Sequence, residues 1–549
     1  MTSEQPESST GPGVQASRLG GEAGASAPSG GSDVARAAGR GFIFITAAKL
    51  WFMVMGAIVN IGLPILMSPE TFGIYSIVVN AVSLVNMVII TGTTQAVAKL
   101  VSETPEAAGR IVGRAALLQC FVGVPLTLLY VLGAPWIAEG FNDPELSSLI
   151  AVSGGVMLAY AFYAIFVGYL NGMKAFGRQA SLDASFSTVK TVGIMVAVTM
   201  GLGVLGAVSA FVGSAVLVVF IGGAVAWDHH RKERAASLTP AAGAEAVSTG
   251  KLLGYLVLVM LFTFGVNGVL RVDLFLLKSL VEGAEGLAVD ADRLSGVYAA
   301  MLNVSRLPYQ AVIAVTFVVF PMISKATFDN DHGATQTYIR TTLRYSLLML
   351  ALLGVLLAGA AREIILTLYG PDYVIGQWPL VLLSLATIAF ALFYIATSMM
   401  TGAGHPVASV VVAAITLAVT AVLNVVALRF TLGMAGVDEG DLLLAASSAT
   451  AVSMVVGLGV TIVYLVRRHD AGLPLGTLVR TLVASASVLA PTVLLTFPDL
   501  AGRVPNLLVA CGKGVVGVVV FFGVLVVLKE LGRPDLERVL HVVRRKRAA

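Results

Sequence analysis

Five charged side chains stand out inside runs that are otherwise apolar: Lys49, Arg271, Asp273, Arg306 and Lys513. A charge at the centre of a bilayer is expensive, so such residues face a bundle interior or a watery cavity, where they mark the path of an ion or polar solute. Neighbours at helical spacing give them polar company. Thr46, Lys49, Gly56 and Asn60 share one face, as do Asn303, Arg306 and Gln310; Asn267 lies one turn before Arg271, and Asn80, Ser83, Thr91 and Thr94 form a further stripe. On a straight helix Arg271 and Asp273 are about 200° apart, so they are expected not to pair with each other. Asp273 then turns toward a neighbouring helix, where Arg306 or Lys49 could meet it. Lys278 and Lys513 lie close enough to a helix end to snorkel. All of this is binding chemistry. GxxxxGK[ST], HExxH and GxSxG motifs are absent, and the expectation is a non-enzyme with no catalytic residue, no metal and no cofactor.

The elements that must hold these residues are membrane helices. The chain is 57% hydrophobic and 12% charged over 549 residues, against roughly 25% charged for soluble domains. About 20 apolar residues cross a ~30 Å hydrocarbon core as a helix. Fourteen stretches qualify, near 42–66, 72–95, 111–133, 148–171, 186–204, 206–227, 252–280, 294–321, 343–360, 377–401, 407–428, 443–466, 479–497 and 505–529. With the N-terminus inside, most of the 35 Lys and Arg residues fall on the cytoplasmic side, including "HHRKER" at 229–234 and "RRKR" at 544–547. The outer loops are acidic, with Glu139, Asp143 and Glu145 in one and Glu282, Glu285, Asp290 and Asp292 in another. The expected location is the cytoplasmic membrane, multi-pass, with both termini cytoplasmic. Basic residues clustered between spans are topology signals, so no nucleic-acid partner is expected. Cys120 and Cys511 both sit in apolar runs and read as inert thiols.

The spans repeat. "FGIYS" at 72–76 recurs as "SGVYA" at 295–299, and "GRIVGRAALL" at 109–118 as "IRTTLRYSLL" at 339–348, placing Arg110 and Arg114 on Arg340 and Arg344. "NDP" at 142–144 answers "YGP" at 369–371, and "YLNG" at 169–172 answers "MMTG" at 399–402. A six-span unit duplicated in the same orientation predicts two lobes related by an axis along the membrane normal, with substrate between them. The organisation expected is a disordered cytoplasmic tail (1–38), an N-lobe of spans 1 to 6 (39–228), a cytoplasmic linker (229–251), a C-lobe of spans 7 to 12 (252–466), spans 13 and 14 (467–530) and a basic cytoplasmic tail (531–549). The polar faces lie on the first two spans of each copy.

These motifs resemble a known family. "LMSPETFGIYSIV" (66–78), "GTTQAVAKLVSE" (92–103), "RVDLFLLKSL" before "LSGVYAAMLNVSRLP" (294–308), "VVFPMISK" (318–325) and "LTLYGPDY" followed by "MMTGAGHP" are similar to the multidrug/oligosaccharidyl-lipid/polysaccharide exporter superfamily, in its lipid-linked oligosaccharide flippase branch. The resemblance covers residues 40 to 466. It implies an all-α polytopic fold of about 14 transmembrane helices, two pseudo-symmetric six-helix lobes in a V-shaped, MATE-like alternating-access arrangement, plus two extra C-terminal helices. It further implies a central cavity lined by spans 1, 2, 7 and 8, and an undecaprenyl-pyrophosphate-linked sugar repeat unit as the substrate.

On that reading Lys49, Arg271 and Arg306 supply charge to the pyrophosphate, for which the planar guanidinium fork is suited. Asn60, Asn80, Asn267, Asn303 and Gln310 meet the sugars. Asp273 is the candidate for proton or sodium coupling, or for neutralising a cation in the unloaded state. Lipid bilayer and polysaccharide polymerase machinery are the other partners implied. Three alternatives stand beside it: a multidrug or cation antiporter of the same superfamily, a peptidoglycan-precursor flippase, and a membrane-embedded glycosyltransferase. Three deep cations against one acid weigh against a cationic drug, and the absence of a long loop weighs against the enzyme.

Overall fold

The computed structural model describes residues 30–236, 249–284, 289–329, 331–494 and 502–532, and among them every regular element is a helix. The N-terminal half runs α1 (Gly30–Leu66), α2 (Pro69–Glu103), α3 (Ala108–Phe121), α4 (Gly123–Leu132), α5 (Ala134–Gly140), α6 (Leu146–Gly172), α7 (Phe176–Thr199) and α8 (Gly203–Ala236). Its counterpart runs α9 (Thr249–Val269), α10 (Val272–Glu282), α11 (Ala291–Ser305), α12 (Leu307–Phe328), α13 (His332–Gly359), α14 (Ala361–Leu368), α15 (Gln377–Gly402), α16 (Pro406–Leu432) and α17 (Glu439–His469). Two further helices follow, α18 (Leu475–Leu494) and α19 (Arg503–Val527). The repeat is visible in the order itself: a short helix, α5 or α14, precedes the long α6 or α15 in each half.

Among the described residues twelve helical stretches are long and apolar enough to cross a membrane, and α9 with α10, bent by 50°, makes a thirteenth if the pair is counted as one span. The remaining expected span, 294–321, is divided between α11 and α12 at Arg306. Three boundaries differ from expectation, each because a helix continues past its apolar run. The fifth span begins at Phe176, ten residues before the apolar run, because Arg178, Gln179 and Asp183 lie on that stretch and depress its hydropathy. Likewise α8 continues to Ala236, so the start of the expected linker is helical, and residues 30–38 of the expected tail belong to α1. The rest of that tail (1–29), residues 237–248 of the linker and residues 533–549 of the basic tail lie outside the described residues.

Lipid is as apolar as a leucine side chain, so helix packing in a membrane depends on close van der Waals fit. Small residues provide it. Gly168 and Gly172, four apart on α6, lie against Val97 and Val101 of α2, where an added Cβ would come within 2.8 and 2.6 Å of their Cβ atoms. Large apolar residues such as Leu117, Phe121 and Phe220 point outward, as they must in lipid.

The two extra helices are fastened to the C-terminal half by two buried carboxylates. Lys513 of α19 does not snorkel: its Nζ lies 2.6 Å from Glu363 of α14. Glu530, buried just past α19, accepts from Arg344 Nε of α13 at 2.8 Å, from Thr477 Oγ1 of α18 at 2.8 Å and from Arg480 of α18 at 2.9 Å. Burial pushes the Glu530 carboxyl up, but these hydrogen bonds bring it below its ordinary value. A group whose folded value is depressed stabilises the fold above its unfolded value, and that contribution is lost as pH falls through the folded one. Glu530→Ala is therefore expected to cost about 3 kcal/mol at neutral pH, the usual result of leaving buried charge unpartnered. Thermal unfolding of the detergent-solubilised protein measures it, and the difference from the parent should shrink in acid.

Candidate functional site

A cavity of about 390 Å³ lies where α1, α2, α7, α10 and α11 converge. Its amide and hydroxyl wall comes from Asn60 of α1, Ser76, Asn80, Ser83 and Asn86 of α2, and Asn303 of α11. Phe52, Phe72, Tyr75, Tyr160 and Phe211 add aromatic faces. Three cations line it, Lys190, Arg271 and Arg306, and none of the lining residues is Asp or Glu. It has the composition of a site for a polar anion.

Each cation is held in a different way. The expected straight seventh span is broken at Arg271, which stands between α9 and α10, so the 200° separation from Asp273 does not apply. At the break Arg271 Nη1 donates to Asn267 Oδ1 at 2.9 Å and to the Asn267 carbonyl at 3.2 Å. Arg306, between α11 and α12, donates to the Leu270 carbonyl that the break leaves free. Both buried Nε–H groups have no acceptor among the described residues, and the Oδ1 of Asn86 in the same cavity has no donor. Lys190 stands among rings, its Nζ 5.3 Å from the Phe52 centroid, 5.3 Å from Phe211 and 5.8 Å from Phe186. Among the described residues no carboxylate pairs with it.

Asp273 is wholly buried and does not line this cavity. Its partners are neutral donors: the Leu274 amide at 2.9 Å, Tyr298 Oη at 3.0 Å and Thr450 Oγ1 at 3.2 Å. Asn424 donates to Thr450 at 3.2 Å, and its own buried Oδ1 has no donor. No ion pair joins Asp273 to Arg306 among the described residues, contrary to expectation; Arg306 is drawn to the open carbonyl instead. This polar knot links α10, α11, α16 and α17 inside the C-terminal half.

The halves meet at two levels. At the end where α2 and α11 start, Gly73 and Gly296 bring the backbones together: a Cβ on Gly296 would lie 1.8 Å from the Pro69 carbonyl oxygen, and one on Gly73 2.0 Å from that of Asp292. Lys278 does not snorkel there. It is completely buried, and its Nζ lies 2.8 Å from Glu282, 2.8 Å from Asp292 and 2.9 Å from Asp143, the last from the other half. The three carboxylates lie within 4.8 Å of one another, a spacing tolerable because the ammonium is their shared counter-ion. Asn142 Nδ2 donates to the Ser279 carbonyl at 2.9 Å, and Ser279 Oγ to the Gly140 carbonyl at 2.7 Å. Arg293 pairs with Glu439 and reaches Glu70 of α2 at 3.8 Å. Toward the opposite, basic end, Gly92 of α2 packs against Met260 of α9. The cavity lies between these two contacts.

Of the residues singled out in the sequence, Asn60, Asn80, Arg271, Asn303 and Arg306 line the cavity. Asn267 stands behind it as the brace of Arg271. Lys49 lies outside it, on α1 within electrostatic reach of Asp183 of α7, whose carboxylate accepts from Tyr163 at 2.5 Å. Gln310 is exposed and also lies outside. Sequence reasoning missed Lys190 and Asn86. Lys190 carried the same signal as Arg271, a charge within an apolar run, and Asn86 continues the Asn80 and Ser83 face of α2.

Fold and cavity together define a two-lobed, multi-pass membrane protein. Against solved structures the chain is similar to an inward closed conformation of the lipid II flippase MurJ, with a TM-score of 0.64 at 14% identity, covering 88% of this chain and 100% of that one. An inward-facing multidrug resistance MATE family transporter of the MOP superfamily gives 0.59 at 14% identity, with 76% and 95% covered. A MOP superfamily transporter from Pyrococcus furiosus gives 0.56 at 14% identity, with 78% and 95% covered. The fold is shared with all three. The family described as polysaccharide biosynthesis protein matches residues 38–327, more than half of the sequence, and the chain belongs to it. No curated protein matches the sequence.

Proposed function

We propose that the chain is a flippase that carries an undecaprenyl-pyrophosphate-linked polysaccharide repeat unit from the cytoplasmic to the outer leaflet by alternating access. The observation that carries this reading is a cavity between the lobes with three cations and no carboxylate in its wall. A pyrophosphate cannot cross ~30 Å of hydrocarbon with its charge unmet, and guanidinium forks are matched to its oxygens. The amide wall suits sugar hydroxyls, the aromatic faces suit sugar rings, and the polyprenyl tail stays in lipid. The same wall argues against a cationic drug. Membership of a polysaccharide biosynthesis family supports the substrate class. The basic end faces the cytoplasm on the positive-inside rule, which puts both termini inside and the Lys278 cluster outside.

A peptidoglycan-precursor flippase is the second reading, favoured by the likeness to MurJ. Deleting the gene and analysing lipid-linked sugars separates the possibilities. The expected result is accumulation of an undecaprenyl-linked repeat unit on the cytoplasmic face. Accumulated peptidoglycan precursor selects the second reading, and unchanged lipid pools with drug hypersensitivity sink both.

Lys190 extends the cationic wall to the lobe opposite the arginines. Lys190→Gln is expected to weaken binding of a pyrophosphate-linked oligosaccharide about tenfold, the scale of a desolvated ammonium's contribution. Equilibrium binding to the purified protein measures it; unchanged affinity would remove Lys190 from the site.

Asp273 is our candidate for coupling. A carboxylate buried among neutral donors is costly to keep charged, and a proton or sodium ion held there removes that cost. The unpaired Asn424 Oδ1 beside Thr450 suits a sodium ion. Asp273→Asn is expected to abolish dependence of transport on the ion gradient in proteoliposomes, whereas retained dependence would place coupling elsewhere.

A further inference from the structure

The internal repeat puts two arginine pairs in matching places, and the two are satisfied differently. In the C-terminal half Arg344 bonds Glu530, while Arg340 Nη2 donates to the Asp470 carbonyl at 2.5 Å. Both acceptors follow α17, in the part of the chain that the repeat does not include. The N-terminal half has no such addition. Its pair, Arg110 and Arg114, is exposed on one face of α3, and neither has a hydrogen bond or ion pair among the described residues. Glu103, the acid that ends α2, is engaged by Lys99 at 3.8 Å.

The two arginines border a groove of about 460 Å³ between the ends of α2 and α3. Its floor is apolar, built from Ala96, Val97, Leu100, Ile111 and Ala115, and a Gln119 to Thr93 hydrogen bond of 2.7 Å crosses its far end. Beside it α3 presents Leu117 and Phe121 outward, the surface of a helix that faces lipid. Two unpaired guanidinium groups at the rim of an apolar slot, at the basic end of a membrane bundle, complement one kind of molecule: a phosphate diester carrying acyl chains.

We infer that the α2–α3 groove is a binding site for one anionic phospholipid, its phosphate held by Arg110 and Arg114 and an acyl chain laid along Ala96, Leu100 and Ala115. The lipid plays here the part that Glu530 and the Asp470 carbonyl play in the other half. The site is separate from the transport cavity and shares no residue with it.

The test uses the full chain, purified in mild detergent and stripped of lipid, then titrated with phosphatidylglycerol or phosphatidylcholine and read by native mass spectrometry. One phosphatidylglycerol should be retained per chain, at least tenfold more tightly than phosphatidylcholine. Arg110→Gln with Arg114→Gln should lose that preference. Ala115→Trp, which fills the groove with both arginines in place, should lose it too; this variant decides the matter should the double variant fail to fold. Arg231→Gln with Lys232→Gln, basic residues at the same end outside the groove, should bind as the parent does. Equal retention of both lipids, or undiminished binding in Ala115→Trp, overturns the inference and leaves only a diffuse attraction of basic residues to headgroups.

Discussion

Arg271→Ala and Arg306→Ala are each expected to abolish export while the protein remains in the membrane at parental abundance. Each guanidinium already spends donors on the protein, Arg271 on Asn267 and Arg306 on the Leu270 carbonyl, and those bonds aim the remaining N–H groups into the cavity. The unpaired Nε–H on each is a donor ready for an anionic oxygen. Removing one such arginine takes away charge-assisted hydrogen bonds worth about 3 kcal/mol, more than a hundredfold in affinity for the charged headgroup. Arg306→Ala has a second effect, since it also strips the broken seventh span of the donor that covers its open carbonyl. Arg271→Lys keeps the charge but not the fork, and should retain activity reduced roughly tenfold. Complementation of a deletion strain, with lipid-linked oligosaccharide and membrane protein both quantified, measures these outcomes. Full activity in both alanine variants would remove the cationic-cavity mechanism.

Arg271 and Arg306 were legible in the sequence because a charge within an apolar run is costly enough to need a reason. Their geometry was not. Period 3.6 assumes a continuous helix, and a break at Arg271 is set by contacts with α11 that no local pattern encodes. Lys190 carries the same signal, but an apolar run that begins at residue 186 leaves Asp183 and Gln179 outside it and puts Lys190 near its edge. In the structure that helix extends further back, and the weakly apolar stretch is tolerated because its polar side chains face α1, α6 and the cavity rather than lipid. Lys278 is the reverse case. Snorkelling is sufficient for a lysine near a helix end, and the acids lie in two loops far apart in the chain; only the fold brings Asp143, Glu282 and Asp292 onto one ammonium. The duplication itself was readable throughout, since helix order follows from runs of apolar residues.

Lys278→Met is expected to part the two halves at their acidic end. The wild-type cluster holds one cation among three carboxylates, one of them from the opposite half, in a site where Lys278 has no exposed surface. Without the ammonium three partly exposed acids repel one another at close range, and breaking the ion pairs of a buried lysine costs about 3 kcal/mol. A preference of that size between closed and open forms moves their ratio by more than a hundredfold. Spin labels at Glu145→Cys and Asp372→Cys, with Cys120 and Cys511 replaced, report the separation at this end; a longer distance is expected. Adding Asp143→Asn, Glu282→Gln and Asp292→Asn to Lys278→Met makes the cluster neutral and should restore the short distance. Unaltered distances in Lys278→Met would show that the glycine contact alone keeps the end shut. That contact can be probed independently: Gly296→Val places bulk where a Cβ already comes within 1.8 Å of the Pro69 oxygen. It should hold the halves apart whatever the charge of the cluster, so neutralising the acids should rescue Lys278→Met and not Gly296→Val. Neither change touches Arg271 or Arg306. Any loss of transport they cause with headgroup binding preserved therefore reports the closing movement and not the affinity of the cavity.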